Sequence, residues 1–453
     1  MIGGGLAGMS AALALAGRDC AVDLLERKSI PGGRASSYEA QETGEPVDNC
    51  QHILMRCCTN LRQFYAQVGV AQNIRWVRHL HFLEPGGRES VLYGDPRLPA
   101  PFHLMPAFFR LQFLEPADKW AVANALMRML RDPGPRTDRP MADWLRDTRQ
   151  TTRAIERFWR PILVSALNEE PERCSARYAF MIFRQGFLAH PRAYEMGIPR
   201  VPLRHLYDPC VEAIRRRSGR VEFRSAVQGF EFDGPRLTGV RLSDGVLPAD
   251  AVVSAVPFDV LTGLLPPAYG RDPFFRRWGP LDVSPISAVH LWWDRAVTQM
   301  GHAALLDREV QWMFNKTQDY GREGQGTHMG LVVSASRAWL PRPRRELLEL
   351  AEREVRATFP GTRNARVVKA ALIKEARATF SLAPGVDALR PPPVTPIPNL
   401  FLAGDWVQNG WPATMEAAVR SGYRAAECVL QSFGRPATLL APDLPWTAVL
   451  GKA

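Results

Sequence analysis

Apolar and polar positions along this chain change period several times, and each change predicts an element. The opening MIGGGLAGMSAALALAGRDCAVDLLERK carries small apolar residues over 6–16, read as a buried helix, and a short strand over 21–26. Residues 61–68 read as a helix with Gly69 as its stop. From 98 to 188 the pattern turns helical and rich in large apolar residues: Phe102, Met105, Phe108, Phe109, Phe113 and Trp120. There Trp120, Ala123, Met127 and Leu130 follow helix spacing, which sets Lys119, Arg128 and Arg131 elsewhere on the surface. A helix over 203–217, stopped by Gly219, leads into short strands at 221–223, 227–232 and 240–242 and an apolar run at 251–256. A second strand-rich block covers 288–293 and 329–334, then a helix over 346–359 repeating Leu348, Ala351, Val355 and Phe359, then a strand over 367–373. The proline-rich link 391–396 marks a boundary. Beyond it come a strand at 400–403, the turn Gly404-Asp405, a helix starting near Pro412, and a tail over 433–453.

The opening stretch admits two readings. By composition, 6–16 could be the apolar core of a secretory signal, but no Lys or Arg precedes Arg18 and three glycines in a row suit a tight turn. By spacing, Gly3-x-Gly5-x-x-Gly8 followed by a helix, a strand and Glu26 is a complete dinucleotide-binding pattern. The glycines allow backbone N–H groups to reach a pyrophosphate, and the acid accepts from a ribose hydroxyl. A strand of about 5 residues is expected before such a turn, and only Met1 and Ile2 stand there, so the start of that strand is expected to be missing.

Size and charge narrow the class. The 453 residues are 46% hydrophobic and 23% charged, which suits two or three globular domains. The net charge of +11 comes with no nucleic-acid motif and no basic stripe interleaved with aromatics. Attraction to an anionic membrane surface and a generally arginine-rich composition both explain it. Seven cysteines form no CxxC pair and no metal spacing, as for reduced thiols in the cytoplasm. The nearest approach to a membrane span, 251–270, holds Asp259 and three prolines and falls short of the roughly 18 apolar residues required.

Four stretches point to a flavin. The first is the glycine turn with Glu26. The second is Ile30-Pro31-Gly32-Gly33-Arg34, where paired glycines let the backbone approach a ligand and Arg34 offers a cationic fork to phosphate or flavin carbonyl oxygens. The third, Val47-Asp48-Asn49-Cys50-Gln51-His52, sets polar groups between apolar ones, as where a chain skirts a ring system. The fourth runs from Asn399 through Gly404-Asp405-Trp406 to Gly410-Trp411-Pro412-Ala413-Thr414-Met415. Its carboxylate suits ribityl hydroxyls, and a helix N-terminus there suits negative charge on the pyrimidine edge of a reduced flavin. No Cys or His lies in an attachment motif, so the flavin is expected to be held non-covalently.

Together these stretches resemble the FAD-dependent amine oxidase and phytoene desaturase superfamily. VDNxQHILMxCCTNLxxFY with GDWxxxGWPATMEAAVRSGYxAA is most similar to its squalene-associated branch, the hydroxysqualene dehydroxylases. Cys50 departs from the glycine usual at its position. The resemblance implies an α/β fold: a Rossmann-like FAD-binding domain interleaved with a substrate domain of mixed sheet and helices, as in amine oxidase-like flavoproteins. The FAD-binding parts are expected at 1–75, 201–268 and 391–432, a helical substrate and membrane-facing segment at 76–200, and the substrate sheet at 269–390. It implies FAD contacts from Gly3, Gly5, Leu6, Ala7, Gly8, Glu26, Arg27, Gly33, Arg34, Val227, Gly404, Asp405, Ala413, Thr414 and Met415, and no metal.

The implied reaction removes the allylic hydroxyl of hydroxysqualene and leaves squalene, within hopanoid or isoprenoid synthesis. It needs a general acid for the leaving oxygen, for which His52 is the candidate. The alternatives are a desaturase acting on a carotenoid-type polyene such as phytoene, and a flavin-bearing prenyl-lipid carrier without turnover. No second glycine fingerprint appears, and Gly321-Arg-Glu-Gly324-Gln-Gly326 reads as a hairpin loop, so NADPH is expected only as a transient reductant. Expected partners are a long isoprenoid lipid, the membrane surface and upstream squalene-synthase-like enzymes, with no nucleic acid. The expected location is cytoplasmic, peripheral on the inner membrane, with 98–130 as the membrane-facing stretch.

Overall fold

Eleven consecutive residues, Leu6–Ala16, form a helix in which every residue is buried, because small side chains let neighbouring elements approach from all sides. In the computed structural model, which describes residues 1–40, 43–132, 134–135, 137–322, 324 and 326–450, this helix packs between the long helix Met415–Ser432 and the helix Arg204–Arg215. All three cover a parallel sheet ordered Arg220–Phe223, Asp23–Glu26, Ile2, Val252–Ser254, Leu400–Leu402. The stub at Ile2 is bonded on both sides: Ile2 N–H donates to the Val253 carbonyl at 2.9 Å and its carbonyl accepts from Ala255 N–H at 2.8 Å, while on the other side Gly3 N–H donates to the Leu25 carbonyl at 2.8 Å and the Met1 carbonyl accepts from Leu25 N–H at 2.9 Å. The single residue Ile2 therefore holds the central place that the sequence pattern assigned to a longer strand.

A second sheet of seven strands lies apart from the first. Its order is Val367–Phe380, Val283–Trp293, Thr327–Ser334, Trp312–Asn315, His302–Leu305, Leu80–Leu83, Glu89–Leu92. Its centre is antiparallel, with Val289 facing Leu331 on one side and Leu372 on the other. The strand expected over 367–373 continues to Phe380 because its partner Val283–Trp293 pairs with it along its whole length, from Trp293 opposite Val367 to Val283 opposite Phe380. The hairpin loop expected at 321–326 falls after the helix Lys316–Asp319 and before the strand Thr327–Ser334, with residues 323 and 325 outside the described set.

Between Phe102 and Leu188 the chain is helical, built around Trp144, Trp159, Phe180 and Phe183. One face there differs from expectation. In Pro116–Arg131 the buried positions are Asp118, Val122, Ala125, Met129 and Leu130, while Trp120 is 66% exposed. The burial stripe is set by Val122 and Met129, and Trp120 stands on the outer face. Among the described residues the segment after Ser432 has no helix or strand, yet it is docked: Ala441 N–H donates to Asn60 Oδ1 and Thr447 N–H to the Ala189 carbonyl.

Candidate cofactor and active site

The turn after Ile2 converges backbone N–H groups on one buried place. Gly5 is the N-cap of Leu6–Ala16 and no side chain caps it, so the first N–H groups of the helix and its positive dipole end are free to meet an anion. Leu6, Ala7 and Gly8 are buried in that first turn. Gly8 tolerates no side chain, since a Cβ there would lie 1.9 Å from the Gly3 carbonyl oxygen. Gly33, at φ +64°, closes the approach from the other side: its Cβ would lie 3.1 Å from the Gly5 Cα. Glu26 ends its strand beneath the turn, buried, accepting from Gly4 N–H at 2.6 Å and Lys28 N–H at 2.8 Å. Arg27 beside it is exposed. A cradle made only of backbone, an uncapped helix end and a buried carboxylate fit a dinucleotide, its pyrophosphate on the N–H groups and its ribose on Glu26.

Two further predicted residues meet. The Arg34 guanidinium pairs with Asp405 and reaches the Ala378 carbonyl at 3.3 Å. Asp405 follows the strand Leu400–Leu402, with Gly404 N–H held by Ser421 Oγ at 2.8 Å. The helix beyond begins at Met415, later than the expected start near Pro412. Thr414 is its N-cap, in extended backbone, its hydroxyl accepting from Ala417 N–H at 3.2 Å. Ala413 is buried and Met415 half-buried at this helix entrance. Val227 stands apart: half-buried and packed on the large core, it precedes a strand that begins at Gly229 instead of 227. Two residues earlier, Ser225 N–H reaches the Glu26 carbonyl at 3.0 Å.

The Asp48–His52 stretch packs on the Arg34 loop. Asn49 donates to the Arg34 carbonyl at 2.7 Å and accepts from Ser36 N–H at 3.2 Å. Both ends of the Gln51 amide are buried and lack a protein partner among the described residues, so this side chain is open to a polar ligand. Burial pushes the Cys50 thiol up to about 12, which keeps it protonated. His52 Nδ1 lies 2.9 Å from the Cys50 carbonyl, so Nδ1 carries the proton. Burial lowers the His52 pKa. Burial thus favours the neutral ring, with Nε2 as an acceptor.

Two groups that the sequence pattern did not single out organise the site. Lys316, fully buried, places its ammonium 3.1 Å from Asp48 Oδ2 and 3.1 Å from Tyr320 Oη. Asp48 also accepts from Ser37 Oγ at 2.7 Å, Leu203 N–H at 3.0 Å and Tyr320 Oη at 2.9 Å. Burial opposes ionisation of Asp48, yet Lys316, Ser37 and Leu203 outweigh it and hold the carboxyl below its ordinary range. This joint ties the hairpin at 37–48 to the seven-stranded sheet. His290 extends it, with Nε2 3.2 Å from the Asp48 carbonyl. The second group is Arg390, only 1% exposed, which donates to the carbonyls of Asp405, Val407 and Trp411 at 3.0, 2.8 and 3.0 Å and to Tyr178 Oη. Neither residue lies in a motif, and only folding brings them to these partners.

The two long motifs also meet each other. Glu416, fully buried, accepts from Asn60 N–H at 3.1 Å, Asn60 Nδ2 at 3.0 Å and Leu61 N–H at 2.7 Å, and Tyr423 Oη donates to Gln67 at 3.0 Å. Among the described residues no cluster of His, Cys, Asp and Glu could hold a metal ion, and no helix is long and apolar enough to cross a membrane.

Fold and site define a flavoprotein oxidoreductase of the amine oxidase type, in which a parallel nucleotide-binding sheet faces a separate mixed sheet. A family model described as flavin containing amine oxidoreductase matches residues 6–430, and the chain belongs to that family. Its cofactor is a flavin, and the dinucleotide cradle fits FAD. Among curated proteins, the chain is similar to the zeta-carotene desaturase of Synechocystis sp., 29% identical over 96% of this chain and 97% of that one. It is likewise similar to the 15-cis-phytoene desaturase of Synechococcus elongatus, 26% identical over 96% of this chain and 98% of that one. Among solved structures, an oxidoreductase from Methanosarcina mazei superposes with a TM-score of 0.73 at 17% identity, covering 93% of this chain and 97% of that one. Cyclohexylamine oxidase from Brevibacterium oxydans superposes at 0.66 and 18% identity, covering 96% and 98%. These superpositions establish the fold.

Proposed function

We propose that this protein exchanges hydride between FAD and one carbon of a long polyisoprene chain, and that its reaction is the reductive removal of the hydroxyl of hydroxysqualene to give squalene. One observation carries the reading. The two stretches most similar to the squalene-associated branch, 47–65 and 404–426, are bonded to each other through Glu416, Asn60 and Leu61, and the second of them also pairs with Arg34 through Asp405. The resemblance thus falls on one connected site rather than on scattered surface. Bound FAD supplies the hydride. The chain's own part is to hold the dinucleotide on the turn at Gly3–Gly8 and on Glu26, to orient the Arg34–Asp405 loop pair, and to keep water from the reacting carbon with apolar walls. The overall change consumes one hydride and one proton and releases water. An external two-electron donor, NADPH or another, must restore the reduced flavin.

The curated relatives favour a second reading: desaturation of a carotenoid-type polyene such as phytoene, with hydride flowing from substrate to FAD. A prenyl-lipid carrier without turnover would hold FAD and show no flavin change. Anaerobic mixing separates the three. Reoxidation of photoreduced enzyme by detergent-dispersed hydroxysqualene, with squalene formed, is the expected result. Bleaching of oxidised enzyme by phytoene with no response to the alcohol would establish the desaturase, and silence toward both would leave the carrier.

A further inference from the structure

We propose that the outer face of the helices at 105–109 and 116–131 docks the protein onto an anionic lipid bilayer. The proposal rests on the lipid-substrate reading above only for its purpose; its geometry is independent. Met105 and Phe109, four residues apart on one short helix, are 45% and 43% exposed, and Trp120 is 66% exposed. Lys119 Nζ donates to the Phe109 carbonyl at 2.8 Å, which brings the start of the second helix, where Trp120 stands, beside the end of the first. Large apolar groups held together in water need a partner.

The charges around the patch say which partner. Arg110 spends a guanidinium N–H on Tyr93 Oη at 3.2 Å and Lys119 its ammonium on a carbonyl, and neither forms an ion pair among the described residues. Arg128 is exposed two turns along from Trp120 on the same helix. The acids are otherwise engaged: Glu115 pairs with Arg153, and Asp118 is buried, accepting from Glu115 N–H and Thr151. An apolar centre with a cationic rim and neutralised acids matches acyl chains beneath anionic headgroups.

The interior behind the patch continues it. Phe108, beside Phe109 in the stretch expected to face the membrane, is buried, packing edge-on against Phe109 at 5.4 Å and Phe158 at 5.5 Å between ring centroids. From Phe158 the contacts run to Phe183 at 6.2 Å and Phe187 at 5.8 Å. Next to Phe187, a Cβ on Gly186 would lie 3.3 Å from the Met55 methyl, three residues after His52.

The test uses flavin-loaded protein and sedimentation with vesicles of phosphatidylglycerol in phosphatidylcholine. Wild type is expected to bind these vesicles, to release on added salt, and to bind pure phosphatidylcholine weakly. Phe109→Ser with Trp120→Ser, and separately Arg110→Glu with Lys119→Glu, should each weaken binding roughly tenfold or more while flavin content and melting temperature hold. Wild-type indifference to anionic vesicles would overturn the proposal, as would variants that bind undiminished or that lose a concentration-dependent dimer instead. Flavin reoxidation by detergent-dispersed substrate, measured on the same variants, is expected to be unchanged. Its absence in wild type would count against the proposed reaction and leave the docking result standing.

Discussion

Replacing Lys316 by Met tests the joint between the paired strands at 37–40 and 45–48 and the seven-stranded sheet. The change keeps much of the side-chain volume and removes the ammonium 3.1 Å from Asp48 Oδ2, where both side chains are 1% exposed. Removing one partner of a buried ion pair costs about 3–5 kcal/mol. Three remaining donors to Asp48, from Ser37, Leu203 and Tyr320, place the expectation at the lower end, about 3 kcal/mol. With an unfolding entropy of about 2.1 cal/mol/K per residue and 453 residues melting together, that is a fall of about 3 °C in melting temperature. Two further measurements isolate the charge. Lys316→Met combined with Asp48→Asn should cost less than the two single changes added, because no unpaired ion is left. The sign with pH is also fixed. In wild type the folded Asp48 pKa is depressed, so the stability it contributes is present above its unfolded value near 3.9 and is lost as pH falls through the lower folded value. In the Lys316→Met variant the strongest influence opposing burial is gone, so that pKa rises relative to wild type and the variant's deficit should shrink as pH drops from 7 toward 4.5. A loss under 1 kcal/mol, strict additivity in the double variant, or a deficit that grows with acid would refute the assignment of Lys316 as the charge partner.

Three other outcomes are expected. Glu26→Ala should weaken FAD retention by roughly 1.5–3 kcal/mol, the range for a hydrogen bond to a charged group; fluorescence of released flavin after dilution measures it, and an unchanged dissociation constant would mean the cradle is misread. Arg390→Met should raise FAD loss by loosening the 405–411 loop, whose Asp405, Val407 and Trp411 carbonyls it holds, with Arg390→Lys recovering part of it; flavin visible circular dichroism reports the loop, and an unaltered band would refute it. His103, His290 and His302 are each lowered to about 4, in every case first by burial. Stability should therefore fall as pH drops below about 6.5, by about 1.4 kcal/mol per pH unit for each such histidine; denaturant melts at pH 7 and 5 with equal midpoints would contradict it.

Sequence alone determined the parts whose chemistry is local. The Gly3–Gly8 turn, the strand ending at Glu26, the Gly32-Gly33-Arg34 loop and the Gly404-Asp405 turn are each written within a few consecutive residues, since a backbone cradle needs glycines at fixed spacing and a helix cap needs a hydroxyl at one position. Helix and strand periods placed most elements, because burial on one face repeats at 3.6 or 2 residues. What depends on distant partners was decided only by the tertiary structure. Lys316 and Arg390 carry no motif, and their roles come from Asp48 and from the 405–411 carbonyls. Trp120 fits the helical stripe as well as Val122 does, and only packing against the neighbouring helices settled that Val122 turns inward and Trp120 outward. Phe108 and Phe109 are identical in type and adjacent in sequence. One is buried and one exposed because the helix at 105–109 turns about 100° per residue against a fixed wall at Phe158, and no pattern within the chain records where that wall stands.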